Sequence, residues 1–506
     1  MLRVLPPDRA FALHDVASSV RIETRAEASL GAHVLMQRAG LAVARLALAL
    51  APHARSIWVA AGPGNNGGDG FEAAMHLHQW GKHVEVISLH DPARQPADAK
   101  ASMQRAQAVG VTIHPGGAID GMPDLAIDAL LGIGARRAPA ALVGDWVRRL
   151  NALPCPVLAV DLPSGLNADS GAAHGSDCIN AAHTLSLLTL KPGLFTGAGR
   201  DRAGDVWFDD LGVADPQVDA TASLAGELKL REATPKRRHA HHKGSFGDVV
   251  IVGGATGMTG AAWLAARAAL AAGAGRVYVD VLGEAGVSHD TLRPELMLRR
   301  GFAIGPPATL AASLVICGCG GGESVRTVLP ALLSHVPRLA LDADALNAIA
   351  ADAQLQQRLR ARAARGHVTV LTPHPLEAAR LLGLNAAQVQ ADRIAAAAQI
   401  ASAFDSVVVL KGSGTVVVAA RRTPSLNATG SAALASAGTG DVLAGWLGGH
   451  WSQLGADVGV AGAFDAARSA VYLHGQAADT VALGPLRASD LIEAMHHLRA
   501  TRWAPP

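Results

Sequence analysis

Two glycine-rich segments ending in an aspartate are the places where this chain could do chemistry. Gly62-Pro63-Gly64-Asn65-Asn66-Gly67-Gly68-Asp69-Gly70 joins two carboxamides and a carboxylate to a backbone with little steric bulk. Gly438-Thr439-Gly440-Asp441 places a carboxylate directly after a short glycine turn. Glycines let main-chain N–H groups approach an anion, and a helix N-terminus aims such groups at it. The segments differ in kind and lie far apart in the chain. They predict two small-molecule sites in two domains, not one site built twice.

In the first segment Gly62, Gly64 and Gly67 fit the dinucleotide pattern G-x-G-x-x-G, with Asp91 near the acidic position that pattern expects. Asp69 would compete with a pyrophosphate for the positive end of the following helix. Asn65, Asn66 and Asp69 instead supply hard oxygen ligands for a cation and donors for a hydroxylated substrate. A plain helix cap accounts less well for so long a polar and glycine-rich run. Asp128 and Asp161 end the apolar runs LAID and VLAVD. Parallel strands gather their carboxyl ends on one edge, so Asp69, Asp128 and Asp161 should converge there.

In the second segment Gly438, Thr439 and Gly440 can aim N–H groups at a phosphoryl group in transfer. Asp441 is then placed to take a proton from a substrate hydroxyl. Lys411-Gly412-Ser413-Gly414-Thr415 follows an apolar run and brings a cation and a flexible turn. It is not a P-loop, because the lysine precedes the glycines. His374 lies between Pro373 and Pro375 in a loop after a strand, at the edge where ligands bind.

Alternating strand-like and helix-like segments must position these groups. In the first half Ser56–Ala61, His83–Leu89, Leu125–Leu131 and Val157–Leu162 read as strands, with Leu185–Leu190 and Val206–Phe208 as further edge strands. Gly70–Trp80 and Ala97–Val109 read as helices. In the second half Asp248–Val252, Arg276–Val281, Leu314–Cys317, Leu339–Asp342, Val368–Leu371, Ser406–Leu410 and Thr415–Val418 read as strands, and Thr259–Ala272, Ala444–Leu454 and Ala466–Ala478 as helices. This is the pattern of α/β units with parallel sheets covered on both faces. The polar stretch between them sets domains of 1–213 and 240–506, joined by a linker over 214–239. His239, His241 and His242 in that basic linker read as exposed side chains, not as a metal site.

GPGNNGGDG, DALLGIGA, VDLPSGLNADSG and KPGL resemble the NAD(P)H-hydrate epimerase family over about residues 10–212. The resemblance implies a Rossmann-like fold and a potassium ion held by Asn66, Asp128 and the carbonyl of Ser164. It implies that Asn65, Asn66, Gly67, Gly68, Asp69, Gly132, Ile133, Gly134, Ala135, Arg136, Arg137, Ala138 and Asp161 line a hydrated nicotinamide, with Asp161 catalytic. Ile133 stands where that family usually has threonine. The loop ending in Asp441 resembles ribokinase-like small-molecule kinases. The blocks HKGSFGDVVIVGGATGMTGAA, CGCGGG, LDADALN, TPHPLEAARLLG, LKGSGT, SAGTGD and YLHGQAAD narrow this to a resemblance to ADP-dependent (S)-NAD(P)H-hydrate dehydratase over about residues 240–497. By that resemblance Lys411, Gly412, Ser413, Gly414, Thr415 and Gly440 hold the adenine nucleotide, and Ala261, Gly322, His374 and Asp441 contact the hydrate. Departures from the family are Cys319, Gly321, Leu376 and Ala437. Together the two resemblances imply epimerisation of R and S hydrates followed by ADP-driven dehydration of the S form to NAD(P)H, giving AMP and phosphate. Magnesium is expected with the phosphoryl chemistry. The alternatives are a dinucleotide-binding domain fused to a ribokinase-like small-molecule kinase, and a nucleotide sensor without turnover.

Composition fits this reading. The 506 residues are half hydrophobic, and the formal net charge is only +2. That gives no reason to expect nucleic acid or an anionic membrane as a partner. The longest apolar runs, Leu41–Ala51 and Gly260–Gly275, are interrupted by Arg45 and Arg267, so no transmembrane span is expected. No signal peptide is read at the N-terminus. Cys155, Cys178, Cys317 and Cys319 match no zinc or redox spacing, which suggests reduced thiols and a cytoplasmic protein. A homo-oligomer is expected.

Overall fold

Side-chain alternation along the strands decides where the cores lie. Val249 and Ile251 join one apolar layer, with Ala262, Ala265, Val442 and Leu443. Val250 and Val252 join another, with Leu329, Leu346 and Ala397. A strand buried on both faces reads as a continuous apolar run, and successive residues serve opposite layers. Likewise Ile57 and Val59 pack with Val43 and Phe71, while Trp58 and Ala60 pack with Trp146 and Leu150.

The computed structural model describes residues 1–89, 95–116, 119–213, 220–227, 237–283, 289–455, 457–481 and 484–501. Asp91 lies outside them. The chain divides into two compact units, Met1–Pro6 with Phe11–Leu224, and Pro7–Ala10 with Ala225–Pro506.

The first unit has strands β1 (Leu2–Arg3), β2 (Phe11–Leu13), β3 (Ser56–Ala61), β4 (His83–Ser88), β5 (Thr112–Pro115), β6 (Leu125–Ala129), β7 (Val157–Val160), β8 (His183–Leu187), β9 (Asp205–Asp209) and β10 (Ala222–Leu224). Eight of them form a sheet in the order β1-β9-β8-β7-β6-β3-β4-β5. All neighbours are parallel except β1 and β9. The segment expected as an edge strand near Leu185 is therefore interior, held between β7 and β9. β2 and β10 form an antiparallel pair, so part of the stretch read as a linker is strand.

The second unit has β11 (Asp248–Gly253), β12 (Arg276–Val281), β13 (Met297–Leu298), β14 (Leu314–Cys317), β15 (Arg338–Leu341), β16 (Val368–Leu371), β17 (Val407–Leu410), β18 (Thr415–Val418) and β19 (Ser425–Asn427). They run in the order β13-β12-β11-β14-β15-β16-β17-β18-β19. The first seven are parallel, and the last two are antiparallel. The α/β architecture expected of each half is present.

Two helices begin earlier than the sequence pattern suggested. The helix expected from Gly70 spans Asn65–Gln79, and the one expected from Ala444 spans Thr439–Ser452. Asn, Gly and Asp are poor in helix interiors but are tolerated in a first turn. The residues singled out for chemistry are thus the first turns themselves. Behind the second sheet edge, Gly318 has φ +122°, and a Cβ on it would lie 1.9 Å from the Asp342 carbonyl oxygen. Gly318→Ala should cost at least ~1 kcal/mol, through strain and the displaced Asp342. Calorimetry should show a lower unfolding temperature for the second unit.

Candidate active sites

A cavity of about 530 Å³ opens at the carboxyl edge of the first sheet. Asn65, Asn66 and Asp69 reach it from the helix after β3, Gly132 to Ala135 from the loop after β6, and Asp161 from the end of β7. Asp161 adopts φ +68°. Its Oδ1 accepts from the buried Lys191 ammonium, and from the Leu187 N–H at 3.1 Å. Lys191 also donates to the Leu187 carbonyl at 2.7 Å. Glu23 and Glu27 enter the same cavity from the helix Val16–Leu30.

Asp128 lies beneath the cavity, fully buried at the end of β6. Its carboxylate accepts from the Ser164 hydroxyl at 2.6 Å, the Ser164 N–H at 2.8 Å and the Leu130 N–H at 3.2 Å. Burial nevertheless pushes its pKa up to about 6, against those three donors. The three expected aspartates therefore share one edge, two facing the cavity and one below it. Gly67 and Gly68 do not line the cavity. A Cβ on Gly67 would fall 2.1 Å from the Gly62 carbonyl oxygen, and one on Gly68 would fall 2.5 Å from the Met36 sulfur. Packing requires those two glycines. Arg136, Arg137 and Ala138 are exposed and outside the lining.

The carboxyl edge of the second sheet gathers a second set. Asp342 follows β15, Thr372 follows β16 and Lys411 follows β17. Asp342 Oδ1 accepts from Lys411 Nζ at 2.6 Å and from the Thr372 hydroxyl at 2.8 Å. Asp441 stands in the first turn of the helix Thr439–Ser452, whose cap Gly438 has φ +88°. One ligand atom each from Cys319, Asp342 and Asp441 lie within 4.8 Å of one another. The Cys319 thiol is 4.0 Å from Asp342 Oδ2 and hydrogen-bonds Asp441. Burial, and next the charge on Asp342, push the Asp441 carboxyl up to about 6. Lys411 Nζ lies 3.5 Å from where a Cβ on Gly440 would sit, so the ammonium covers the glycine turn.

The turn is braced from within. The Thr439 hydroxyl donates to the Leu434 and Ser436 carbonyls, each at 2.9 Å. His474 Nε2 lies 2.9 Å from the Thr439 carbonyl, and burial lowers that imidazole's pKa to about 4. The ring is then neutral and donates. On the nucleotide loop, Gly412 packs against the buried Arg393 guanidinium, which donates to the Leu410 and Lys411 carbonyls at 3.2 and 3.0 Å. A Cβ on Gly320 would approach that of Ala261 to 2.9 Å, and Gly322 donates its N–H to Asp344 at 2.8 Å. His374 caps the helix Pro375–Leu382. Its Nδ1 accepts from the Leu376 and Glu377 N–H groups, and its Nε2 lies 3.1 Å from Glu377 Oε1. Both ring nitrogens are thereby engaged in the cap, which leaves the half-exposed ring face to meet a ligand.

Residues 249–498 match the family model for NAD(P)H-hydrate dehydratase, and residues 32–193 match that for the YjeF-related protein N-terminus. The bifunctional NAD(P)H-hydrate repair enzyme of Escherichia coli is 36% identical over 461 residues, 88% of this chain and 85% of that one. The chain belongs to the bifunctional NAD(P)H-hydrate repair enzyme family. Members from Leishmania braziliensis and Vibrio cholerae are 36% and 34% identical over 92% of this chain, covering 89% and 93% of their own lengths. A solved ADP/ATP-dependent NAD(P)H-hydrate dehydratase from Bacillus subtilis, co-crystallized with ATP/Mg2+, covers 54% of this chain and 96% of its own at 27% identity and TM-score 0.44.

Relatives named bifunctional NAD(P)H-hydrate repair enzymes, matched over 88% and 92% of this chain, set aside the fused-kinase alternative. Within this repair-enzyme frame, sequence reasoning left four residues without a role: Lys191, Asp342, His474 and Glu23. The first three stand in motif blocks that carried the resemblance, KPGL, LDADALN and YLHGQAAD. Only Glu23 had no signal beyond its i, i+4 spacing with Glu27. The exposed His239, His241 and His242 form no metal cluster among the described residues. No single described helix is long and apolar enough to cross a membrane.

Asp342 is buried and Lys411 half-buried, and removing the carboxylate strands the ammonium. Asp342→Ala should destabilise the second unit by about 3–5 kcal/mol. The check is a calorimetric scan, which should place the variant's unfolding of that unit well below the parent's.

Proposed function

We propose that the first unit interconverts the R and S hydrates of NADH and NADPH at the 530 Å³ cavity, and that the second unit dehydrates the S hydrate with ADP. The observation that carries the second part is the placement of Asp441 in the first turn of a helix, beside the Lys411–Asp342 pair. N–H groups of a first helical turn have no intrahelical acceptor and can receive a phosphoryl group. Lys411 and the loop through Thr415 serve the nucleotide phosphates. Asp441 takes the proton of the ring hydroxyl as that oxygen bonds the terminal phosphorus of ADP, and AMP leaves. The carbon–oxygen bond then breaks, the neighbouring carbon loses a proton, and phosphate departs. Water leaves poorly as hydroxide; as phosphate it leaves well.

The two metal ions differ in fit. For potassium, Asp128 and the Ser164 carbonyl are hard oxygens, the carbonyl also accepting from the Ile179 N–H at 3.0 Å, and the buried Asn66 Nδ2 has no hydrogen-bond partner. Turning that carboxamide presents its oxygen instead, so the donor set suits a monovalent cation. When bound, the ion would anchor polar groups of a substrate. A protein-held magnesium fits the second unit poorly. The cluster there includes a thiol, and the Lys411 ammonium already occupies Asp342. Magnesium would instead enter on the nucleotide phosphates.

Incubating the full chain with hydrated NADH should restore NADH absorbance only when ADP is present. Both epimers should disappear together. Asp441→Asn keeps the size of the side chain but cannot take a proton. It should lower the dehydration rate by about 10²- to 10⁴-fold and leave ADP affinity nearly unchanged. Because the base must be ionised, dehydration should fall as the pH drops through about 6, where Asp441 gains its proton. A rate–pH profile from 5 to 8 reads this directly.

Asp128→Ala should weaken epimerisation and its dependence on potassium while sparing dehydration. Rates measured in potassium and in a bulky organic cation would show it.

A further inference from the structure

The first cavity has an unusual charge balance. Among the described residues its lining includes the carboxyl groups of Glu23, Glu27, Asp69, Asp98 and Asp161, and one ammonium, that of Lys191. Asp98 is partnered by His33, 2.7 Å away, and Lys191 is committed to Asp161. Once Asp69 has given up its proton, its carboxylate adds a negative charge with no ammonium left to match it, which favours a cation formed at that moment. The cavity also contains a buried carboxamide nitrogen, Asn66 Nδ2, without a partner, which points to a polar guest.

Hydration of a dihydronicotinamide ring is the addition of water to an enamine, which puts the hydroxyl on the carbon next to the ring nitrogen. Inverting that carbon requires a bond to it to break. If the hydroxyl leaves, the nitrogen lone pair forms a carbon–nitrogen double bond and the ring becomes an iminium cation. If the ring opens instead, the intermediate is a neutral aldehyde. The charge of this cavity suits the first course.

Resting on the epimerase reading above, we propose that Asp69, assisted by Glu23, is the acid of the reaction and Asp161 its base, and that the ring hydroxyl departs as water through an iminium ion. Asp69 gives a proton to the hydroxyl, the carbon–oxygen bond breaks, and a water molecule departs. A second water then bonds the same carbon from the other face and yields its proton to Asp161. One proton is given and one taken, so exchange with solvent restores the pair. The acid and the base reach the same cavity from different elements, the helix Asn65–Gln79 and the end of β7.

The environment of the groups agrees. Burial, and then the charges of Asp161, Glu23 and Glu72, raise the Asp69 pKa well above its ordinary value, with only Lys191 opposing. Burial, then Glu27, Asp161 and Asp98, raise that of Glu23, again against Lys191. The shift on Asp69 favours its protonated, proton-giving form, while Asp161 is the carboxyl group to which the ammonium donates. Glu23 lies on a helix that precedes the family-matched residues 32–193.

The test is epimerisation of one pure hydrate epimer by the full chain in ¹⁸O-water without ADP, over a single turnover, with mass spectrometry of the inverted product. The expected result is one solvent oxygen in every inverted molecule beyond the uncatalysed background. Accelerated inversion with the original oxygen retained would overturn the iminium route and leave the epimerase reading standing. No acceleration at all would instead overturn the epimerase reading on which it rests. Asp69→Asn should slow inversion by about 10² or more, and Glu23→Gln by about 10-fold, with ADP-driven dehydration of the S epimer unchanged in both. Should Asp69→Asn fail to fold, Glu23→Gln and the isotope experiment still decide. Wild-type rates of inversion in folded variants would remove both residues from the mechanism.

Discussion

A carboxylate taken out of water must be met by donors, and much of this structure follows from three such meetings. Asp128 is met by Ser164 and a main-chain N–H, Asp161 by Lys191, and Asp342 by Lys411 and Thr372. Each aspartate lies near the end of a parallel strand or directly follows one, and the main-chain N–H groups of Leu130, Ser164 and Leu187 meet two of the three. Each donor arrives from a neighbouring strand end or loop. The pairing therefore fixes how those loops lie, and the loops carry the remaining site residues. Removing a donor would leave a buried charge in a medium that stabilises it poorly.

The two sites use the same constraint to different ends. Among the described residues of the first, the acids outnumber the one ammonium, and burial with mutual repulsion raises the pKa of Asp69 and Glu23. In the second, Lys411 is closely matched to Asp342, and Asp441 titrates near 6 between that pair and the Cys319 thiol. The thiol itself is held protonated by burial and by the charges of Asp441 and Asp342. It acts as a weak donor beside two carboxylates. This is a chemical use for a residue that stands out in the sequence only as a departure from its family.

Much of this was legible before any coordinates. Apolar runs bounded by polar residues marked β3, β6, β7, β11, β14, β16 and β18, because strands buried on both faces have nothing else to be. The aspartates at their ends could be ranked as candidates by topology alone. Partners were harder to see. Lys191 is 30 positions from Asp161, and Lys411 is 69 from Asp342, and no local pattern encodes such a separation. Glu23 and Glu27 share an amphipathic helix face that reads as solvated until a cavity is found against it. Glycines misled in the opposite direction. Gly67 and Gly68 sit inside a motif that suggests ligand contact, yet packing against Gly62 and Met36 is what excludes a side chain there. Helix starts were placed late for the same reason, since glycine and asparagine look like loop until their first-turn role is known.

All the residues that line the first cavity belong to one compact unit, and Cys319, Asp342, Lys411 and Asp441 all belong to the other. Among the described residues, each set of side chains comes from a single unit. What the shared polypeptide fixes is stoichiometry. Each completed round of translation delivers one epimerase unit and one dehydratase unit, in equal number, whatever the level of expression. A cell that relies on this chain cannot accumulate the catalyst for one epimer while lacking the catalyst that converts the other.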